Sequence, residues 1–334
     1  MKIRSYLLIF LALALAIILS IAIGSVFIPP RDLWRVLTGK TPQVIAQAAF
    51  IITAIRLPRT ALVALTGAAL GGSGAAYQGL FRNPLADPYL IGVASGAGLG
   101  AVAAMSIQWP YTFLGLMAVP IAAFLGALLT VFIVYALARV GKTLPTTNLI
   151  LAGVAISAFA SALTSFLMLR STGELRRAIG WLLGGSTQAG WEPVLIVLPY
   201  LVLGLGTLLL FGHALNLLQF GDEQAQQLGL NVARIRTLIL LTASLTTATA
   251  VAFSGVIGFI GLIVPHIMRL WQGPDYRRLL PLSILGGSTA LLVADVLARV
   301  ILAPQELPVG IVTALAGAPF FLWVLRRAKN QGYW

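Results

Sequence analysis

Residues 56–92 read RLPRTALVALTGAALGGSGAAYQGLFRNPLADPYLIG, and this stretch decides the fold. Two arginines, Arg56 and Arg59, flank Pro58 at its start. Residues 60–81 then carry no charge for 22 positions, and Arg82, Asn83, Pro84 and Leu85 close the run. An uncharged apolar segment of this length crosses a bilayer core as a helix. It is crowded with small residues: Gly67, Gly71, Gly72, Ser73, Gly74, Ala75 and Ala76. Small residues let helix backbones approach closely in lipid, so the segment is expected inside a bundle, with close packing the ordinary role of its glycines.

Composition extends this reading to the whole chain. Of 334 residues, 59% are apolar and 9% charged, against roughly 25% charged in soluble domains. With a mean hydropathy of +0.96, a polytopic, all-α membrane protein is the class that fits. The chain has no cysteine, which excludes disulfide frameworks, haem-attachment motifs and thiolate metal sites. The net charge of +13 is scattered between apolar runs. It forms no stripe of the kind that binds nucleic acid, and it fits the basic loops of a membrane protein.

Charges and turn residues divide the chain into about ten spans. Residues 5–30 form the first; this run is longer than a signal-peptide core and reads as a retained helix. The second is 60–81. Residues 88–138 are uncharged over 51 positions, which makes two spans, broken around Gln108, Trp109, Pro110 and Tyr111. The fifth is 149–169. Residues 171–191 are too short to span, and Leu175, Ile179 and Leu182 mark one face of a short helix on or partly in the membrane. The sixth span is 193–211, followed by the longest polar segment, 213–236. Residues 237–268 read as two spans, one short, with a turn at Ser254, Gly255 and Gly258. The ninth and tenth are 279–300 and 308–325. Ten spans put both termini on one side. That side carries 13 Lys and Arg against nine opposite, so the positive-inside rule places the termini in the cytoplasm. The outer positives point to an acidic partner there.

No catalytic constellation is present. Gly39-Lys40-Thr41 resembles the end of a P-loop, but Trp34 stands where the first glycine is needed. Gly96, Gly98 and Gly100 fail the dinucleotide pattern because Ala101 stands at the last glycine position, and Gly92, Gly96 and Gly100 read as a packing stripe. His213 and His266 are far apart, without metal-ligand spacing. Asp295 is the acid best placed inside an apolar stretch, and Arg299, four residues on, is its natural partner. That pairing argues against an ion relay without excluding one. In the polar segment, Asp222 and Glu223 open a short helix that Gly229 stops, with Ala225 and Leu228 on one face.

Four segments carry a family resemblance: 56–100, GDEQAQQLGL at 221–230, SGVIGFIGLIVPHIMRL at 254–270, and ADVLARVILAPQELPVGIVTALAGAPFFLWVL at 294–325. In these the chain resembles the permease subunits of ABC importers for vitamin B12, haem and iron–siderophore complexes (the FecCD permease family). The resemblance implies a type II importer fold, with residues 1–334 as a single transmembrane domain. It implies a homodimer around one pathway in the bacterial inner membrane, two ATP-hydrolysing subunits and an external substrate-binding protein. This chain would carry no cofactor and no catalytic or metal site, with ATP and Mg bound on the ATPase. By the same resemblance, Arg56, Arg59 and Arg299 receive the binding protein. Residues 217–234, including Leu217, Asp222, Glu223, Ala225, Leu228, Gly229 and Arg234, couple to the ATPase. Asn83, Leu85, Thr146 and Thr147 form a cytoplasmic gate. The alternative is an ion-coupled secondary transporter acting alone; a membrane scaffold without transport is a third reading.

Overall fold

The computed structural model describes residues 2–24, 28–38, 46–107, 109, 112–141, 144–170, 175–185 and 190–329. The P-loop-like Gly39-Lys40-Thr41, the break residues Gln108, Pro110 and Tyr111, Lys142 and residues 171–174 lie outside them. Regular structure among the described residues is helical: α1 Lys2–Ala22, α2 Pro30–Leu37, α3 Ala46–Phe50, α4 Leu57–Leu80, α5 Val93–Met105, α6 Phe113–Ala138, α7 Thr146–Arg170, α8 Leu175–Leu182, α9 Glu192–Leu210, α10 Gly212–Leu218, α11 Asp222–Gln227, α12 Val232–Ser254, α13 Ile260–Gln272, α14 Tyr276–Val300 and α15 Val309–Lys329. Seven of them, within α1, α4, α6, α7, α9, α12 and α14, are long and apolar enough to cross a membrane. With the shorter α5, α13 and α15, these match the ten expected spans in order.

The bundle is built around α4. Every residue from Thr66 to Leu80 is buried, as expected of a helix surrounded by other helices. Its small residues set the approach of each neighbour. A Cβ on Gly67 or Gly71 would overlap the α14 backbone at Gly287 and Ser283, and one on Gly74 would overlap Gly261 of α13. Hydroxyls line the side of α4 that meets the antiparallel α12. Thr66 bonds Ser254 at 2.6 Å, Ser73 bonds Thr247 at 2.9 Å and Tyr77 bonds Ser244 at 2.7 Å. Hydrogen bonds between small polar side chains join helices where apolar contact with lipid is equally available. A second seam joins α5 to α6, where Gly96 and Gly100 pass over Gly126 and Ala122. This is the stripe expected from the sequence.

Two helices are broken inside the bundle. After α4 the chain turns at Arg82–Asp87 and makes a 3-10 turn, Pro88–Ile91, before α5. Gly92 then takes φ +84° to start α5. Likewise α12 and α13 are separated at residues 255–259, with Gly255 at φ +73° and Phe259 at φ +69°. Gln272 at the end of α13 donates to Ser5 Oγ at 2.6 Å. The starts of α1 and α12 and the ends of α4 and α13 therefore share one face, called here the N-terminal face. The short helix α8 differs from expectation. Ala178 and Trp181 form its buried side and Leu182 packs beside them on α5, while Leu175 and Ile179 are exposed, because it packs against α5 and the α12–α13 break.

Candidate functional site

At the face opposite the N-terminal one, two arginines close the end of α1. Arg56 is 5% exposed and donates Nη1–H to Ile21 O and Ala22 O, both at 2.8 Å. Arg299 is 3% exposed and donates to Ser20 O, Ser20 Oγ and Ile23 O at 2.9–3.1 Å. The last carbonyls of a helix lack intrahelical donors and carry its negative dipole end, so guanidinium groups are well placed there. Arg299 also pairs with Asp295 at 3.0 Å, as the i, i+4 spacing predicts. Arg59 takes the other carboxylate oxygen of Asp295 at 2.9 Å and reaches Glu306 at 2.6 Å. Of the three arginines expected to receive a binding protein, only Arg59 is substantially open to solvent. Arg56 and Arg299 are interior groups, and a partner's carboxylate would reach them only if the end of α1 moved.

The re-entrant turn after α4 is organised by its own polar residues. Asn83 Oδ1 accepts the Leu85 N–H at 2.9 Å, and Asp87 Oδ1 accepts the Tyr89 N–H at 2.8 Å, capping the 3-10 turn. The Tyr89 hydroxyl donates to Ile257 O at 2.9 Å and accepts Ile257 N–H at 3.1 Å. One side chain thus satisfies both backbone groups of a residue in the second break. Sequence reading missed Asp87 and Tyr89, and a lone tyrosine gives no local signal of such a clasp. Asn83 and Leu85 are brought together by the turn. Thr146 and Thr147 stand at the start of α7, with no hydrogen bond between the two pairs among the described residues. Replacing Tyr89 by phenylalanine leaves the Ile257 groups unpaired, which costs about 1–3 kcal/mol for a buried polar group. A lowered thermal transition in detergent, with normal expression, is the expected result; an unchanged transition would remove the clasp from this account.

At the N-terminal face, α10 and α11 form an elbow. Asp222 and Glu223 open α11, and Gly229, at φ +87°, ends it by letting Leu230 N–H reach Ala225 O. The expectation that Ala225 and Leu228 share a face is corrected. Ala225 is fully buried and Leu228 is 60% exposed, because the helix stops at Gln227 and the turn swings Leu228 outward. Phe220, 64% exposed, stands on the same elbow. Leu217 is half-buried and Arg234 exposed. Asp222 binds Arg236 at 2.9 Å and lies 3.6 Å from Arg82, the residue before Asn83. Gln219 Nε2 donates to Gly79 O at 3.0 Å. The elbow is therefore tied to the end of α4 and to the start of α12. Asn216 ties α10 to Asp275 at 2.7 Å and to Tyr276 N–H at 2.8 Å. Hydrogen bonds from Arg277, then from Asn216, hold the Asp275 carboxyl well below its ordinary value. A depressed carboxyl loses its stabilising contribution only as pH falls through its folded value, so this tie is constant at neutral pH.

Among the described residues, no group of three or more His, Asp or Glu is arranged to hold a metal ion. A family model described as the FecCD transport family matches residues 12–327. The chain belongs to the FecCD transport family. FecCD relatives include a Halobacterium salinarum protein named cobalamin import system permease protein BtuC, 48% identical over 84% of this chain and 74% of that one. Another is a Yersinia pestis protein named hemin transport system permease protein HmuU, 45% identical over 83% of each. A solved structure described as an inward-facing metal-chelate type ABC transporter superposes with a TM-score of 0.82 at 31% identity, covering 98% of this chain and 99% of that one. This FecCD chain is therefore a multi-span transport permease with a type II importer fold.

Proposed function

We propose that this chain is the permease subunit of an ATP-driven importer that moves a large metal chelate (cobalamin, haem or an iron–siderophore) by alternating access. Two copies would enclose the pathway, with two ATPase subunits on the N-terminal face, in the cytoplasm, and a binding protein outside. The observation that carries the reading is the α10–α11 elbow. It presents Phe220 and Leu228 outward while Asp222 ties it to Arg82 and Arg236. Force applied to the elbow thus acts on the end of α4, next to Asn83 and Leu85, and on α12. Family membership and the names of the cobalamin and hemin relatives support the substrate class. On the outside, Arg59 is the accessible docking arginine, and Arg56 and Arg299 set its surroundings by holding α1. Charge pairs at such a rim govern orientation and on-rate more than affinity. For the secondary-transporter reading, the acid inside the α14 span, Asp295, is already held between Arg59 and Arg299.

The test is reconstitution with the ATPase encoded beside it. Phe220→Asp and Leu228→Asp put a charge on exposed positions, so folding is expected to survive. An apolar anchor at an interface centre is worth about 2 kcal/mol or more, and each change is expected to weaken ATPase association by roughly 30-fold. ATPase stimulation by a loaded binding protein should fall with it. Unchanged association in both variants would sink the elbow assignment. Uptake driven by an ion gradient without any ATPase would establish the alternative.

A further inference from the structure

A cavity of about 320 Å³ opens on the N-terminal face between the end of α6, α11 and the start of α12. Tyr135, Arg139, Asp222, Arg234, Arg236 and Thr237 supply its polar wall. Three arginines against one carboxylate leave two positive charges in that wall. The carboxylate is already used: Asp222 Oδ1 and Oδ2 accept from Arg236 at 2.9 Å each, and Arg82 lies 3.6 Å away. The Arg234 guanidinium makes no ion pair among the described residues, and Arg139 spends its Nε–H on Gly141 O at 2.9 Å. Arg236 has only 11% of its side chain exposed, and its Nε is buried without an acceptor. Thr237 Oγ1 donates to Ala233 O at 3.0 Å, so in its 3.4 Å contact with Tyr135 the tyrosine hydroxyl is the donor.

The depth of the cavity identifies the kind of anion that fits it. Along α12 the outward residues change from Asn231, Ala233 and Arg234 to Leu238, Leu241 and Leu245. Along α6 they change from Leu129, Phe132 and Leu137 to Arg139. Both helices pass from apolar to basic at the cavity, the level at which a bilayer passes from acyl chain to headgroup. We propose that this cavity binds the phosphate oxygens of an anionic phospholipid headgroup, with Arg139 and Arg234 as the primary ligands. Guanidinium groups match phosphate oxygens bidentately, and basic pockets at this depth hold lipid headgroups. Free phosphate has the same chemistry but gains nothing from the leucines beside the site.

The experiment is native mass spectrometry of the full-length permease, released from nanodiscs holding phosphatidylglycerol and phosphatidylcholine in equal amounts. Preferential retention of phosphatidylglycerol is expected, falling roughly fivefold per arginine in Arg139→Gln and Arg234→Gln. The corresponding lysine variants should keep most of the preference. Equal retention in wild type and both glutamine variants would overturn the proposal. Inorganic phosphate is the second probe. If it raised the thermal transition of wild type but not of the glutamine variants, while lipid retention stayed equal, the ligand would be soluble and the lipid assignment wrong. If the glutamine variants fail to fold, a photoactivatable phosphatidylglycerol on wild type decides. Cross-links to residues 135–139 or 232–238 support the site, and cross-links confined elsewhere overturn it.

Discussion

Gly71→Val is expected to abolish accumulation of folded permease. The α-carbon of Gly71 faces the backbone of α14, and even an alanine Cβ there would overlap Ser283 O and stand 3.1 Å from Gly287 Cα. The obstacle is backbone on a helix that is itself held by Gly67 one turn away, so no side chain can rotate aside. Overpacking a core by one methyl costs about 1–3 kcal/mol when side chains can adjust; here α14 as a whole must retreat. That retreat would also withdraw Ser288 Oγ, which donates to Ala64 O at 2.8 Å. Gly206 of α9 provides the contrast, since a Cβ there meets open space. Gly206→Ala should be neutral within about 0.5 kcal/mol, as surface substitutions are. Fluorescence-detected size exclusion of the two variants checks this. A monodisperse Gly71→Val permease would show that the α4–α14 seam does not set the bundle.

The reason this seam was legible from sequence is physical. In lipid, close helix approach requires small residues, so a row of them is itself the record of the contact. The same applies to breaks: Gly255 marks the turn between α12 and α13 because a reversal inside a bundle needs positive φ, although the second such position falls on Phe259 and not on Gly258. Helix ends in the polar segment were legible through Asp222, Glu223 and Gly229. What was hidden was direction. The apolar face of α8 is legible, but that Ala178 and Trp181 form its inward side is not, because the elements it meets, α5 and the α12–α13 break, are distant in sequence. Long-range partners were hidden too. Tyr89 meets Ile257 168 residues away, and Arg82 meets Asp222 across α5 to α10. Arg56 looked like an outer charge because nothing in its own segment offers an acceptor; its acceptors are backbone carbonyls of α1, which sequence does not display.

The outer cluster yields the second large effect. Asp295→Asn preserves size and removes one charge from between Arg59 and Arg299. Arg299 is 3% exposed and keeps only dipolar acceptors, the carbonyls at the end of α1 and Ser20 Oγ. Breaking a buried ion pair from one side costs about 3–5 kcal/mol, because the remaining charge stays desolvated. Asp295→Asn is therefore expected to lower the thermal transition sharply and to release the end of α1. Glu306→Gln removes the exposed partner of Arg59 and should cost about 1 kcal/mol or less, as exposed pairs do. The double variant Asp295→Asn, Arg299→Gln removes both charges of the buried pair, and together with Asp295→Asn and Arg299→Gln alone it closes the cycle that measures the coupling. The same series separates a structural carboxylate from a proton relay. A relay acid changed to its amide leaves a stable protein that has lost gradient-driven uptake. A structural acid changed to its amide leaves an unstable protein, and the double variant recovers the part of that loss due to the stranded Arg299 charge, while the bonds of Arg299 to the end of α1 stay lost. Protease susceptibility at residues 20–24 in reconstituted vesicles adds a local readout, because the α1 end is where the two buried guanidinium groups act. If Asp295→Asn left that segment as protected as in wild type, the arginine clamp on α1 would not be what holds it.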